Sequence, residues 1–293
     1  MSKTITTNQW SLRDVLTLIK PRITITTIIV SAGSMAFSNT SVMPQYVFFS
    51  LLGIALLVSG SSAFNMYIER NYDGLMKRTK DRPLPSGRLS PQIALELGWI
   101  LSLIALPALH IGANNTTVLL GVFALFVYVL VYTPLKRVSS LALFVGAVPG
   151  AMPALMGYTA VSGQIDKIGL SLFFLLFLWQ LPHFLAISIF RSKEYSKAGY
   201  PVIAYELGEI GAKKLIFTTT ILLVLSSMSL WIFGAAGFVY KFTCIIFGLW
   251  FIFWSLKGFY ITKQNAWAKK IFFVSIKYQA FLFLSLVADF YVK

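Results

Sequence analysis

Cysteine is almost missing from this chain: in 293 residues Cys244 stands alone, inside an apolar run. Disulfides and cysteine-rich metal or iron–sulfur sites are thereby excluded. Charge is also scarce, with 12% charged against 57% hydrophobic side chains and a mean hydropathy of +0.75. Soluble domains are only roughly half apolar, so water is not the main solvent here. The first apolar run begins after a polar stretch holding Arg13, Asp14, Lys20 and Arg22, and no small-residue cleavage site follows it. That run is expected to persist as a helix. No Arg/Ser-rich, acid-poor leader is present either, which points to a bacterial inner membrane rather than an organelle.

Long apolar runs are abundant. They fall near Ile23–Ser38, Tyr46–Phe64, Ile93–Ile111, Thr117–Tyr132, Leu141–Val161, Ile168–Phe190, Leu215–Phe233, Phe238–Tyr260 and Ile271–Tyr291. Each approaches the ~20 residues needed to cross hydrocarbon. The expected fold is an all-α integral membrane protein of nine transmembrane helices, forming a single polytopic domain over 1–293. Threading those helices gathers the Lys and Arg of the N-terminus, 66–92, 133–140, 191–214 and 257–270 on one side, leaving Lys167, Lys241 and Lys293 opposite. The positive-inside rule makes the rich side cytoplasmic, with the N-terminus inside and the C-terminus outside. Most of the net charge of +15 is then a topology signal and needs no nucleic-acid partner. Helices one to four and five to eight share one rhythm of short outer turns and long inner loops. Two four-helix half-repeats plus one helix, around a central cavity open toward the cytoplasmic side, follow from that rhythm.

The two long inner loops, about 66–92 and 191–214, are where function is expected. Of ten acidic residues, all but Asp166 and Asp289 lie on the inner side. Asn65, Glu69 and Asp73 are spaced by four, which stacks them on one helix face, ~6 Å apart per step. They sit at a helix C-terminus, with Gly74 as the cap, where the backbone dipole disfavours anions by ~0.3–1 kcal/mol each. A cation should compensate. Arg70 and Lys77 as surface ion pairs are the plain explanation. The chemical alternative is Mg²⁺, which takes one or two carboxylates and completes its shell with water and phosphate oxygens. Downstream, Lys77-Arg78-Thr79-Lys80-Asp81-Arg82-Pro83-Leu84-Pro85-Ser86-Gly87-Arg88 is an irregular loop dense in hydrogen-bond donors for phosphate oxygens. Arg191, Lys193, Glu194 and Lys197 supply a second polar cluster after helix six. Two such clusters at equivalent positions of two half-repeats would face each other across the cavity.

Three segments together resemble a known family: Asn65-xxx-Glu69-xxx-Asp73-xx-Met76-x-Arg78-Thr79-Lys80-x-Arg82-Pro83-Leu84; Trp179-Gln180-x-Pro182-His183-Phe184; and Arg191-xx-Glu194-Tyr195-xx-Ala198-Gly199-x-Pro201. The chain is similar to the UbiA-type intramembrane prenyltransferases, and the Trp179–Phe184 segment resembles their haem-modifying branch. Lys20-Pro21-Arg22 and the turn Tyr132–Arg137 extend the likeness to nearly the whole chain. The resemblance implies transfer of the farnesyl group of farnesyl diphosphate to a vinyl group of protohaem (haem B), with Mg²⁺ as cofactor, the lipid bilayer as surroundings and a terminal oxidase as recipient of the product. It assigns Asn65, Glu69, Asp73 and Glu194 to metal, and Lys136, Arg137 and Arg191 with those carboxylates to the chemistry on the diphosphate. Substrate contacts then fall to Arg22, Arg78, Lys80, Arg82, Tyr132, Gln180 and His183. Two positions depart from the family's pattern, because Glu69 stands where Asp is common and Ala198 stands where a second carboxylate is often found.

His183 is the residue for haem contact in that reading, since an ionisable group inside a membrane helix is functional by default. The plain alternative is a neutral His hydrogen-bonded to another helix, with Gln180 doing likewise. Pro182 frees the carbonyl of Leu178 and bends the backbone toward a protein-lined cavity. Among enzymes, the competing reading is a related prenyltransferase with a phenolic quinone-precursor acceptor. Outside that class stand a secondary transporter, which should carry its polar groups near the midplane, and a haem-binding oxidase-assembly protein without chemistry.

Overall fold

In hydrocarbon a backbone must satisfy its own polar groups, so apolar runs of this length fold as helices. The computed structural model describes residues 11–38 and 40–292, and these contain helices and turns with no strand. The helices are α1 (Leu12–Leu18), α2 (Pro21–Met35), α3 (Pro44–Asp73), α4 (Pro91–Gly112), α5 (Asn115–Phe126), α6 (Thr133–Leu135), α7 (Ala142–Ser162), α8 (Lys167–Phe190), α9 (Ser192–Lys197), α10 (Ile203–Glu206), α11 (Gly208–Ser227), α12 (Ser229–Ile232), α13 (Phe238–Lys257) and α14 (Gln264–Val292). Among the described residues, eight helical segments are long and apolar enough to cross a membrane. The expected ninth is the pair α1 and α2, bent by 48° at its break. Lys293, counted with the outer cations, lies outside the described residues.

The packing inverts that of a soluble protein. Leu103, Leu119, Leu225 and Leu249 are exposed on the outside, whereas Ser31, Thr117, Thr159 and Ser227 are buried. Helices α7 and α8 pair at the centre; α2, α3 and α5 pack on α7, and α11 and α14 on α8. Small residues permit this, as they do generally where helices meet in lipid. A Cβ on Gly157 would come within 2.2 Å of the Ser31 carbonyl oxygen, and one on Gly146 within 2.5 Å of the Tyr132 ring. Ser31 Oγ then donates to the Pro153 carbonyl at 2.9 Å, fixing α2 on α7.

The two long loops are folded against each other at one end of the bundle. Met76 of the first is buried with Ala198 and Tyr200 of the second, and Tyr72 and Tyr195 pack around them. Arg88 holds Asp14 at 3.0 Å, tying α1 to the first loop.

Candidate active site

Helix α3 runs to Asp73, so the polar stripe belongs to the helix itself and not to the loop after it. Asn65, Glu69 and Asp73 all line one cavity, as four-residue spacing requires. They are only 3%, 2% and 1% exposed, where bare carboxylates would be very costly. Each meets a cation. Lys20 Nζ donates to Asn65 Oδ1 at 2.9 Å, Lys136 Nζ to Glu69 Oε1 at 2.8 Å, and Arg82 to Asp73 Oδ2 at 2.6 Å. The expected compensators, Arg70 and Lys77, are placed elsewhere: Arg70 bonds the Tyr67 carbonyl and lies over its ring, and Lys77 lies in a separate hollow.

Three local features of the chain deliver those cations. Lys20 adopts the left-handed conformation with φ 47°, a strained choice for a residue with a Cβ, immediately ahead of Pro21. Between α5 and α6, Val127–Tyr132 form a π-helical segment, whose wider turn brings Tyr128, Tyr132 and Lys136 all onto the cavity. Thr133 closes that turn by donating to the Tyr128 carbonyl at 2.7 Å and accepting from Asn65 Nδ2 at 3.2 Å. Burial works against the Lys136 ammonium, yet neighbouring Tyr132 and Glu69 outweigh it and hold the group above the ordinary lysine range.

Two buried polar atoms at the cavity mouth have no partner among the described residues: Asp73 Oδ1 and the Tyr200 hydroxyl. Burial, with Glu69 nearby, pushes the Tyr200 phenol up to about 12, so it stays a donor. Unsatisfied groups of this kind are rare in native proteins, and two of them facing one cavity beside a carboxylate stripe leave room for a ligand or ion to complete the shell. The stripe fits a divalent cation on these grounds. Among the described residues no three or more His, Cys, Asp or Glu side chains converge to hold a metal unaided. An ion here would share its coordination with a ligand, as Mg²⁺ does with phosphates.

The cavity, about 800 Å³, continues from this mouth along Ile54, Leu57, Met152 and Met156 and is walled on another side by Trp179, His183 and Phe184. His183 is stacked on Trp179 at 4.8 Å and packs on Phe272 at 4.6 Å. Its Nδ1 lies 2.8 Å from Ser275 Oγ, which donates its single proton to the Phe272 carbonyl at 2.7 Å. Ser275 must therefore accept from Nδ1–H, which places the lone pair of the neutral ring on Nε2. Nε2 makes no hydrogen bond among the described residues. Gln180 also lines the cavity, but its amide nitrogen is held by the Ala147 and Leu176 carbonyls at 3.1 Å each.

Of the residues singled out in the sequence, Arg22, Asn65, Glu69, Asp73, Arg78, Arg82, Tyr132, Lys136, Gln180 and His183 line this cavity together. Four others do not. Arg137 turns away, donating to the Ile68 carbonyl and stacking on Tyr72 with its Cζ 4.3 Å from the ring centre. Arg191 and Glu194 pair with each other at 3.0 Å in a neighbouring hollow, and exposed Lys80 lines neither space. Glu206 accepts from Ser140, and Glu209 pairs with Lys213 at 2.6 Å. Sequence reasoning gave no site role to Lys20, Tyr128 or Tyr200. Only Lys20 had a signal, its place in a basic triplet around Pro21.

Residues 25–276 match the UbiA prenyltransferase family. The Protoheme IX farnesyltransferase of Sorangium cellulosum is 47% identical over 256 residues, covering 87% of this chain and 91% of its own. That of Anaeromyxobacter dehalogenans is 42% identical over 94% of this chain and 93% of its own. The fold is similar to a digeranylgeranylglyceryl phosphate synthase structure, with TM-score 0.82 and 17% identity over 95% of this chain and 98% of that one. It is also similar to a UbiA homolog from Archaeoglobus fulgidus bound to GPP and Mg²⁺, with TM-score 0.61 and 17% identity over 94% and 99%. The family match spans most of the sequence, and the chain belongs to the UbiA prenyltransferase family.

Proposed function

We propose that this chain, as one polytopic domain of a bacterial inner membrane, transfers the farnesyl group of farnesyl diphosphate to a vinyl group of protohaem IX. Diphosphate is released, and water completes the hydroxyethylfarnesyl side chain of haem O. The observation that carries this reading is one cavity joining a cation-paired carboxylate stripe to a wall with a histidine whose Nε2 has no partner among the described residues. Relatives named for this activity, 40% identical or more over nearly the whole length, support it.

Asn65, Glu69 and Asp73 would hold Mg²⁺, with the free Oδ1 of Asp73 as its anchor. When bound, the ion neutralises the diphosphate and makes it a better leaving group. Lys20, Lys136 and Arg82, now held by the stripe, are placed to turn onto the diphosphate oxygens as ion and substrate arrive together. The Tyr200 hydroxyl adds a neutral donor. As the allylic cation develops, the apolar interior between Ile54 and Met156 excludes water from the farnesyl chain. Tyr128 and Tyr132, tilted against each other with ring centres 5.5 Å apart, offer ring faces to the positive charge. His183 faces the acceptor, with Nε2 suited to contact the haem iron. The basic face is cytoplasmic, and the product passes to a terminal oxidase.

The test is to incubate the purified chain with haem, farnesyl diphosphate and Mg²⁺ and to seek the farnesylated haem by mass spectrometry. A phenolic acid offered in parallel separates the two acceptor classes. No product from haem in detergent or lipid, with haem binding intact, refutes the proposal. Asp73→Ala should keep haem yet lose about 100-fold or more of turnover. His183→Ala should weaken the haem absorption spectrum. Chelation of divalent ions should stop turnover and spare haem binding.

A further inference from the structure

Beside the cavity lies a second hollow of about 530 Å³ between the two long loops, lined by Leu75, Lys77 and Arg78 from the first and by Arg191, Lys193, Glu194 and Lys197 from the second. Its one carboxylate, Glu194, is taken by Arg191. Lys77, Arg78, Lys193 and Lys197 are exposed and make no ion pair among the described residues. Four free cations therefore converge on one concavity. Orientation in a membrane asks for cations in these loops, but not that they share a hollow.

The hollow is joined to the acceptor side of the cavity in two ways. Arg78 lines both spaces. On α8 and its cap, His183, Ile187 and Arg191 recur every four residues, the first two in the cavity and the third in the hollow. One helix face thus leads from the aromatic wall to the basic hollow over ~12 Å. The cations that pair with the stripe, Lys20, Arg82 and Lys136, line the cavity and not the hollow. The diphosphate has its partners there and leaves Lys77, Lys193 and Lys197, which line the hollow alone, unused.

We propose that this hollow binds the carboxylate edge of the acceptor, the two propionates of the tetrapyrrole, and so fixes which edge of the ring enters the cavity. The inference rests on the haem reading of the site. A flat, apolar ring with two acids on one side must keep those acids with water or cations, since burying them unpaired is very costly. With the acids at Lys77, Arg78, Lys193 and Lys197 and the ring against Trp179 and His183, the vinyl-bearing part points into the cavity that holds the prenyl chain. The hollow is in this sense a register for regiochemistry.

The experiment titrates protohaem IX, and separately its dimethyl ester, into the full chain in neutral-lipid nanodiscs, following the Soret band. It compares wild type with the double variant Lys193→Glu, Lys197→Glu, both exposed and lining the hollow but not the cavity. The dissociation constant for protohaem should rise about tenfold. The ester's should not change, nor should the KM for farnesyl diphosphate. Unchanged protohaem affinity overturns the inference, as does an equal loss for acid and ester. A raised KM for farnesyl diphosphate alone overturns it by giving the hollow to diphosphate, and an effect confined to nanodiscs with anionic lipid gives it to headgroups. Wild type that binds neither compound refutes the acceptor reading itself. Wild type that binds both, with a variant that does so equally, refutes the hollow alone.

Discussion

Tyr200 carries a hydroxyl that is buried, without a partner among the described residues, and protonated over any working pH, while the Lys136 ammonium lies 5.2 Å from its ring centre. An unmatched donor in a dry site costs roughly 1–3 kcal/mol, and a ligand oxygen that accepts from it recovers that. Tyr200→Phe should therefore leave folding intact or improve it slightly, while lowering kcat/KM for farnesyl diphosphate by about tenfold to 100-fold. Steady-state kinetics with thermal midpoints in detergent checks both halves; a less stable but fully active variant would make the hydroxyl structural. Arg137 gives the opposite expectation. It holds the end of α3 through Ile68 and Tyr72 and does not line the cavity. Arg137→Lys, which cannot stack on Tyr72 or fork in the same way, should lower the thermal midpoint along with activity, whereas the paired change Lys136→Met with Glu69→Gln, which leaves no bare carboxylate, should abolish activity with a smaller effect on the midpoint.

Helix α5 and its continuation depend on the π-helical turn Val127–Tyr132. Such a turn carries one residue more than an α-helical path, and removing it rotates everything beyond by ~100°. Leu130 sits in that turn with its side chain 62% exposed on the outside. Deleting Leu130 should let the helix relax to α geometry, swing Tyr132 and Lys136 off the cavity and abolish turnover, whereas Leu130→Ala should be neutral. Retained helical circular dichroism with lost activity supports this, and an active deletion would refute it. The apolar runs announced the helices because period and length determine a span in lipid. A π-turn was hidden, since Val127–Tyr132 reads as ordinary apolar helix. The same limit applied to direction. Spacing by four placed Asn65, Glu69 and Asp73 on one face, but adjacent Lys136 and Arg137 point to different surroundings, and only the turn geometry decides which meets Glu69. Lys20 was visible as a basic residue before proline, while its left-handed backbone, which aims it at Asn65, was not.

Among the described residues, charge of both signs gathers at the stripe end of the molecule. At the end away from the stripe, Asp166 caps α8 through the Ile168 and Gly169 amides at 2.8 and 3.0 Å. Asp289 caps α13 through Gly237, Val239 and Tyr240 at 2.8, 2.9 and 3.0 Å. Those acids satisfy backbone amides at helix starts and leave nothing for a substrate. At the stripe end Asp14, Glu69 and Asp73 instead meet Arg88, Lys136 and Arg82, and the loops hold an excess of Lys and Arg. By the positive-inside rule the excess of Lys and Arg at that end is expected to make it face the cytoplasm. Topology can be read with single thiols, because Cys244 is 0% exposed and should be silent toward a polar maleimide. Ser86→Cys, in the first long loop, and Gln164→Cys, between α7 and α8, are both on the surface. In right-side-out vesicles Gln164→Cys should label and Ser86→Cys should not, with the pattern reversed in inverted vesicles. Labelling in the opposite sense would put the basic end outside, and the charge asymmetry would then have to be explained by ligand binding instead of insertion.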